Sequence, residues 1–302
     1  MPETSTSASK GSVVMRARES APIPSSEEGA IVERSGWRLR FAPNEVLGAD
    51  RRAAVLEAVL GAAAGTAGTR VRVSTHGETW LASAGEFDLF IKITKPVSGF
   101  ARIKRALRGG PAAHIAAITG ALQREGFNAP QPVVWGGELR GGRELIATAR
   151  AAGVLLPRFL REAGMPLAEK RALLRELGAE LARLHRAGFI HGDFTPFNVM
   201  VARSTPPARF VMLDHERTRR TRLAALARPR LRNLVQLGHF DLPGVTMTDR
   251  LRVWHGYVGA LGEHRRRLRK LASMLRARVE RDRARLNSTK AARGESGKAG
   301  EV

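Results

Sequence analysis

One short polar motif limits what this chain can fold into more than any other feature of the sequence. It reads His191-Gly192-Asp193 and places Asn198 five residues after the aspartate. A stripe of leucines at helical spacing precedes the motif, and Asp214 follows sixteen residues after Asn198, directly behind the apolar run FVML. We expect a fold in which a loop after a helix and the end of a buried strand bring these polar groups together.

Phosphoryl transfer is the chemistry that explains this spacing. It needs an acceptor hydroxyl held in line with the phosphate, a group that takes its proton, and Mg²⁺ to neutralise the phosphate oxygens. Asp193 is the candidate for orienting and deprotonating the acceptor. Asn198 and Asp214 carry the hard oxygen atoms that Mg²⁺ prefers, so they are candidate metal ligands. His191 is expected to orient the loop through backbone hydrogen bonds.

The pattern of apolar residues changes once along the chain, near residue 150. Before that point, the alternation at residues 87–93 predicts a strand, residues 111–125 predict a helix that begins with proline, and residues 132–148 predict a hairpin around the loop GGELRGG. After it, leucines at helical spacing over residues 173–184 predict an amphipathic helix. A short buried strand is predicted at residues 210–213.

The length and the apolar content set the expected architecture. The chain has 302 residues, 43% of them apolar, which is enough for one large domain or two lobes around a cleft. We predict an α+β fold with a small antiparallel-sheet N-lobe at residues 36–150 and a larger, mainly helical C-lobe at residues 151–286. Residues 1–35 and 287–302 are polar and lack periodicity, so disordered tails are predicted there.

A strong excess of basic residues indicates the kind of partner. The 51 Lys and Arg against 28 Asp and Glu give a formal net charge of +23, which attracts nucleic acid, membrane head groups or phosphorylated substrates. Seven arginines at residues 217–232 and ten basic residues at 265–285 favour an anionic membrane surface or glycolipid. A merely solvated face, or base composition, is the alternative. Nucleic acid is disfavoured because aromatic residues are sparse and no recognised nucleic-acid motif accompanies the arginines.

Three absences narrow the classes of function. The sequence has no cysteine, which excludes a disulfide framework, a cysteine-based zinc site and a thiol nucleophile. Residues 1–28 contain no apolar signal-peptide segment, and no run of about 18 apolar residues predicts a transmembrane helix. We expect a cytoplasmic protein, with peripheral contact to the inner membrane as an open option.

On these residues the chain resembles the protein-kinase-like superfamily. The segment HGDFTPFNV, at residues 191–199, is similar to the catalytic loop of that superfamily, and LDHER, at residues 213–217, stands where it has its Asp-Phe-Gly segment. Gly192 and the missing Phe-Gly after Asp214 direct the resemblance toward bacterial small-molecule and lipid-sugar kinases.

Within that group the chain is most similar to the lipopolysaccharide kinase family, which phosphorylates Kdo or heptose in the lipopolysaccharide core. This resemblance extends over about residues 70–285, and the segments that carry it are FDLFIK (87–92), GFNAPQP (126–132), NLVQL (233–237) and DRLRVWHGY (249–257). It implies a bilobal protein-kinase-like fold that uses ATP and Mg²⁺.

The resemblance also implies roles for particular residues. Lys92, on the third predicted strand, would pair with the ATP phosphates, and the turn around Gly77 would cover them. Asp193 would be the catalytic residue. Asn198 and Asp214 would bind the nucleotide through the metal ion.

One departure from the kinase pattern concerns the partner of the lysine. Kinases of this type hold the strand lysine with a Glu from the following helix. The only acidic residue between Lys92 and Gly126 is Glu125, and the position expected to face the lysine falls near His114. Three possibilities stay open: Glu125 reaches the lysine, another acid substitutes, or the lysine is unpaired. Glu216 is a candidate for a third metal oxygen or for a supporting group behind the ligands.

These observations lead to one main hypothesis and two alternatives. The main one is an ATP-dependent kinase that acts on a sugar hydroxyl of lipopolysaccharide core or a similar anionic glycolipid, with Arg219, Arg220 and Arg222 near the acceptor. The first alternative is a soluble small-molecule kinase, similar to aminoglycoside and choline kinases. The second is a catalytically impaired kinase-like module that binds a membrane or a partner through its basic surface.

Overall fold

A computed structural model of the chain describes residues 29–43, 49–96, 110–161, 165–202, 210–221, 227–262 and 265–292. Within these ranges the strands are β1 (Ile31–Arg34), β2 (Trp37–Phe41), β3 (Thr69–Val73), β4 (Gly77–Ala84), β5 (Phe87–Thr94), β6 (Pro132–Glu138), β7 (Glu144–Ala149), β8 (Val154–Leu155), β9 (Phe189–Ile190), β10 (Val199–Val201), β11 (Phe210–Met212) and β12 (Arg219–Arg220). The helices are α1 (Ala49–Ala64), α2 (Pro111–Arg124), α3 (Leu156–Arg161), α4 (Leu167–Arg186), α5 (Ala227–Gly238), α6 (Met247–Leu261) and α7 (Arg265–Ala292). The predicted mixture of an antiparallel sheet and helices is confirmed.

Seven of these strands form one antiparallel sheet in the order β1-β2-β6-β7-β5-β4-β3. The predicted strand at residues 87–93 is β5, in the interior of the sheet, and the predicted hairpin is β6–β7. On β5 the side chains of Leu89, Ile91 and Ile93 are buried, as the alternation requires, and Lys92 belongs to the opposite set. Among the described strands, Lys92 therefore lies on the fifth and not on the third.

Each face of the sheet packs against a helix. The side of α1 that carries Val55 and Val59 packs on the face that contains the buried residues of β5. On the other face, Ile115 of α2 packs with Ile146 of β7. Because Ile146 is directly opposite Lys92 on the neighbouring strand, α2 and the lysine share this second face.

The hairpin β1–β2 and helix α1 were not predicted from the sequence. The predicted tail at residues 1–35 is wrong in its last part, because Ile31–Arg34 is a strand that pairs with β2. Most of its side chains are exposed, so no apolar alternation marks it in the sequence. Residues 1–28 of the predicted tail lie outside the described residues.

The second large core is mainly helical and includes buried residues of β9, β10 and β11. The predicted leucine stripe at residues 173–184 is buried there on α4. This helix crosses α6 closely, because a Cβ atom on Gly178 or on Gly256 would overlap the backbone of the other helix. The close crossing encloses Tyr257, the only tyrosine of the chain, which is fully buried.

The last helix, α7, confirms the basic helix predicted at residues 265–285. The predicted tail from residue 287 is wrong for residues 287–292, because α7 continues to Ala292. Alanine and arginine favour helix, so the polar composition alone did not mark the end of this segment. Residues 293–302 lie outside the described residues. Among the helices that are described, none has the length and apolar content needed to span a membrane.

Candidate active site

The predicted catalytic loop is a sharp turn between two short strands. The chain leaves β9, passes through Gly192 in the left-handed region (φ +80°), and closes a single 3₁₀ turn at Pro196–Asn198 before it enters β10. A Cβ atom at position 192 would overlap the backbone carbonyl of Arg217. Glycine is therefore required here both by the backbone conformation and by the close approach of a second loop.

Asp193 and Asn198 contact each other within this loop. The Nδ2 atom of Asn198 donates to the backbone oxygen of Asp193 at 2.9 Å and lies 3.4 Å from the carboxylate oxygen Oδ2. The backbone N–H of Leu213 donates to the carbonyl of Asn198 at 2.9 Å. Because Val199 and Met212 are paired on adjacent strands, Asn198, directly before β10, and Asp214, two residues after β11, lie at the same end of the two strands. The sequence predicted this convergence.

The carboxylate of Asp193 is also held by an amide on α5. The Nε2 atom of Gln236 donates to the carbonyl of Gly192 at 3.0 Å and lies 3.3 Å from Oδ1 of Asp193. Its Oε1 atom accepts from the backbone N–H of Phe194 at 3.1 Å and from Nδ2 of Asn233 at 3.0 Å. One side chain thus makes four hydrogen bonds and fixes both the backbone of the loop and its carboxylate.

A buried chain of neutral groups continues from Asn233. Its Oδ1 atom accepts from the backbone N–H of His191 and lies 3.1 Å from Nε2 of His185. On the other side of the ring, Nδ1 of His185 lies 2.9 Å from the hydroxyl of Tyr257. Burial lowers the pKa of His185 to about 4, so the ring is neutral and each nitrogen has one matching partner.

Asn233 and Gln236 belong to the segment NLVQL, which was predicted to resemble the family, but no role was predicted for either residue. Their spacing of three residues places them on one face of α5, which is the signal that could have identified them. The two amides now explain how a helix far along the chain holds the loop that carries Asp193. His185 is fully buried in the core.

Lys92 forms a cluster with two carboxylates. Its Nζ atom lies 2.5 Å from Oε1 of Glu216 and 3.3 Å from Oδ1 of Asp214, and all three side chains are a little over one-third exposed. Burial lowers the pKa of the Lys92 ammonium, but attraction by Asp214 and Glu216 outweighs that effect, so the pKa is raised. The ammonium therefore keeps its charge at neutral pH.

The open question about the partner of Lys92 has an answer in this geometry. Glu125 does not reach the lysine, because its carboxylate pairs with Arg220 at 2.9 Å. His114 on α2 contacts the backbone oxygen of Thr218 at 3.0 Å. Another acid substitutes, and it is Glu216. The reason is that the turn after β11 brings its own carboxylate to the strand lysine.

The turn that carries Asp214 and Glu216 is held from several sides. Asp214 adopts the left-handed conformation (φ +59°), and a single 3₁₀ turn follows at His215–Arg217. The buried ring of His215 contacts the carbonyl of Met212 and the hydroxyl of Thr218. His191 contacts the carbonyl of Leu213 at 2.8 Å through Nε2, so it links the two loops through the backbone, as predicted.

The predicted phosphate-covering turn is the tight connection between β3 and β4. The hydroxyl of Ser74 accepts from the backbone N–H groups of His76 and Gly77, both at 3.2 Å. The Gly77 amide is thus engaged within its own turn. Thr79, two residues further, is directly opposite Lys92 on β5, so this turn and the lysine occupy one end of the sheet.

The donor set for a metal ion is small. Among the described residues, no group of three or more His, Cys, Asp or Glu side chains is arranged to hold a metal ion. The side-chain oxygens of Asn198 and Asp214 fit Mg²⁺ that takes its other ligands from substrate phosphates and water, since Mg²⁺ in such sites uses one or two protein groups. Of the arginines predicted near the acceptor, Arg219 and Arg220 form the exposed strand β12, and Arg222 lies outside the described residues.

Comparison with known proteins gives a family match for part of the chain. Residues 112–257 match the model of the Lipopolysaccharide kinase (Kdo/WaaP) family. The resemblance predicted from the sequence is confirmed over this segment, which contains Asp193, Asn198 and Asp214, and the match supports a phosphotransferase. Lys92 and Gly77 lie before the matched segment. A search of curated proteins found no match.

Proposed function

We propose, from the match to the lipopolysaccharide kinase family over residues 112–257, that the protein is an ATP- and Mg²⁺-dependent kinase. Its acceptor would be a sugar hydroxyl of lipopolysaccharide core or of a similar anionic glycolipid. The observation that carries the proposal is the ion-pair cluster of Lys92 with Asp214 and Glu216, which joins the sheet to the segment after the catalytic loop. In a bilobal kinase-like arrangement, residues 36–150 would form the N-lobe and residues 151–286 the C-lobe.

Each site residue has one task in this proposal. The carboxylate of Asp193 orients the acceptor hydroxyl and takes its proton, while Gln236 and Asn198 keep that carboxylate in place. The Lys92 ammonium binds phosphate oxygens of ATP. Asn198 and Asp214 would hold Mg²⁺, which neutralises charge on the phosphates. Gly77 would lie in the turn that covers the nucleotide.

The surface beside Asp193 suits a sugar ring. Phe197 lies between Asp193 and Asn198 and is 48% exposed, and its ring contacts that of Phe240 edge to face at 5.2 Å. Phe240 follows the end of α5, four residues after Gln236, so both side chains approach the catalytic loop from one end of this helix. Aromatic rings beside a few polar groups are typical of ligand sites, and the C–H face of a pyranose packs well on such rings.

The basic surface supports an anionic, membrane-associated acceptor. Arg219 on β12 is exposed, and β12 pairs with β9, which leads directly into the catalytic loop. The helix α7 is rich in arginine and contributes to the chain's formal net charge of +23. We propose a cytoplasmic protein that contacts the anionic inner-membrane surface peripherally, where its substrate would be exposed.

A phosphate-transfer assay tests the proposed function. ATP labelled at the γ-phosphate is incubated with a glycolipid extract, and Asp193→Ala should lower kcat by about 10²- to 10⁴-fold. The matched control is Asp88→Ala, which removes an exposed carboxylate of β5 that pairs with Arg150. This variant should retain activity. Labelling of a soluble alcohol in place of glycolipid would favour the small-molecule kinase. No nucleotide binding and no transfer by the unaltered protein would refute the kinase.

The catalytically impaired alternative loses its main support in this structure. It was based on the missing helix Glu, and a lysine without a carboxylate partner would be poorly oriented. Lys92 has two carboxylate partners, both of them in the segment that follows β11. We therefore favour an active enzyme.

A further inference from the structure

Glu216 is the described carboxylate nearest to the Lys92 ammonium, although the proposed metal ligands are Asn198 and Asp214. It is two residues beyond Asp214, yet its Oε1 atom is nearer to the Lys92 ammonium than the Asp214 carboxylate is, at 2.5 Å against 3.3 Å. Of the carboxylates in the described residues, these two form salt bridges with Lys92. Lys92 is therefore oriented by the same segment that carries Asp214, a candidate metal ligand.

The helix on the same face of the sheet has a different task. His114 of α2 contacts the carbonyl of Thr218, and Thr218 is buried against the turn through the ring of His215. Helix α2 thus supports the backbone of residues 214–218. The carboxylate that pairs with Lys92 comes from Glu216 in that segment and not from α2. Since His215 before Glu216 and Thr218 two residues after it are both buried, the backbone of Glu216 is held in place while its side chain stays accessible.

Charge balance indicates why two carboxylates are present. One ammonium between two carboxylates leaves a surplus negative charge, and a divalent cation would attract Asp214 away from the lysine. If Asp214 were the only partner, the lysine would then lose its orienting group. An ammonium has three N–H donors, so Lys92 can keep one bond to Glu216 and direct the others to phosphate.

We propose that Glu216 is the positioning residue of Lys92, which takes the place of the helix Glu and holds the ammonium for phosphate when Asp214 turns to the metal ion. This inference rests on the proposed kinase function. It has one structural consequence. Lysine orientation and metal binding would depend on the same turn, residues 214–218, which α2 contacts through His114.

The test uses a readout of lysine geometry that does not require an acceptor. An acyl phosphate of ATP transfers its acyl group to a lysine amine near the phosphates: the neutral amine attacks the carbonyl, the amide bond forms, the acyl–phosphate bond breaks so that ATP leaves, and the proton lost by the amine passes to solvent. The rate of labelling of Lys92, measured by mass spectrometry in the full chain without metal ion and expressed per neutral amine from the pH dependence of labelling, reports how the Lys92 nitrogen is placed. Glu216→Gln should lower this rate about tenfold, and Glu216→Asp, which keeps the charge on a shorter side chain, should lower it less.

Two comparisons make the result specific. Asp214→Asn should reduce metal-free labelling less than Glu216→Gln, whereas a role of Glu216 as a metal ligand only would leave metal-free labelling unchanged. Glu57→Gln, which removes an exposed carboxylate paired with Arg34, is the matched control and should label at the rate of the unaltered protein. Circular dichroism verifies that each variant is folded.

The outcomes separate this inference from the function it rests on. If the unaltered protein labels Lys92 and Glu216→Gln labels it equally fast, the role of Glu216 is wrong and the kinase proposal stands. If the unaltered protein binds no ATP analogue and Lys92 is not labelled, both are wrong. A further expected result is a rise of severalfold in the Mg²⁺ concentration needed to stabilise the ATP complex of Glu216→Gln in a thermal-shift assay, because Lys92 then stays on Asp214.

Discussion

The two sides of the candidate site are held by opposite means. Asp193 is fixed by amides and backbone groups that connect to the core through Asn233, His185 and Tyr257, and the last three are buried. Lys92 is fixed by ion pairs with side chains that are more than one-third exposed. Neutral groups can be buried at little cost when every donor has an acceptor, whereas buried charges lose much hydration energy.

This difference fits what each side does in the proposed reaction. The proton acceptor must keep one position, and a network of neutral hydrogen bonds provides a fixed geometry. The lysine and Asp214 must exchange partners when nucleotide and metal ion bind, and exposed ion pairs are weak enough to exchange. The comparison predicts that substitutions on the Asp193 side change stability strongly and that substitutions on the Lys92 side do not.

The largest effect is expected where the two sides touch, at Gly192. Gly192→Ala places a Cβ atom in the backbone carbonyl of Arg217 and also strains a residue at φ +80°, so we expect the free energy of unfolding to fall by more than about 4 kcal/mol. Gly36→Ala is the matched control, since Gly36 has φ +81° but open space around it, and should cost about 1 kcal/mol. Urea denaturation measures both, and equal losses would show that the contact with Arg217 is unimportant.

The next largest effect tests the neutral network. Gln236→Leu leaves four hydrogen-bonding atoms of the loop and of Asn233 without their partner, so we expect a loss of about 3 kcal/mol in the free energy of unfolding and a fall in kcat of about tenfold or more. Gln131→Leu, which removes a single contact of 3.4 Å, should change neither. A stable and fully active Gln236 variant would contradict the proposed fixing of Asp193.

Acid should destabilise the protein through two buried histidines, His185 on the neutral side and His215 in the turn on the charged side. Burial lowers the pKa of His185 to about 4 and that of His215 to about 3, both below the ordinary value of 6.5. The unfolded chain therefore binds more protons below pH 6.5, so stability is complete above that pH and falls as the pH drops toward 4. At pH 5 we expect a loss of about 2 kcal/mol for each of these groups, measured by urea denaturation.

A variant assigns part of this pH dependence to one residue. His185→Gln lacks the titrating ring, so the difference in its free energy of unfolding between pH 7 and pH 5 should be smaller by about 2 kcal/mol than in the unaltered protein. The comparison uses the difference between the two pH values and is independent of the cost of the substitution itself. An unchanged difference would mean that His185 is not kept neutral by burial.

The smallest effect is expected at the charged side. Glu216→Gln should lower the free energy of unfolding by less than about 1 kcal/mol, because the pair with Lys92 is partly solvated and screened by salt. The exposed pair of Glu57 with Arg34 gives the scale, and Glu57→Gln should have a similarly small effect. A loss as large as that of Gln236→Leu would remove the contrast between the two sides.

The arginines that follow Asp214 do not all have the role near the acceptor that the sequence predicts. Arg220 is committed to Glu125 and lies over the ring of Phe189, so it supports β9 and is not simply available to an acceptor. Arg219 on the same strand is exposed. Of the two described arginines predicted near the acceptor, Arg220 has a structural contact, which its position after Asp214 in the sequence could not reveal.

The sequence by itself determined the local elements and the order of the chemical groups. The alternation on β5, the leucine stripe of α4 and the loop from His191 to Asn198 are properties of neighbouring residues, and side-chain periodicity is enough to reveal them. The strand IVER was not predicted because β1 is short and mostly exposed and is stabilised by pairing with β2. Helix α1 was not predicted either.

Only the tertiary structure decided which groups meet. Lys92 and Asp214 are separated by 122 residues, and Glu216 is further still, so no local pattern relates the lysine to its carboxylates. The same holds for Gln236, which reaches Asp193 from a helix 43 residues later. Such contacts depend on how the sheet, α2 and the helical core pack together. Because of that packing, Glu216 in the turn after β11 supplies the carboxylate that α2 lacks.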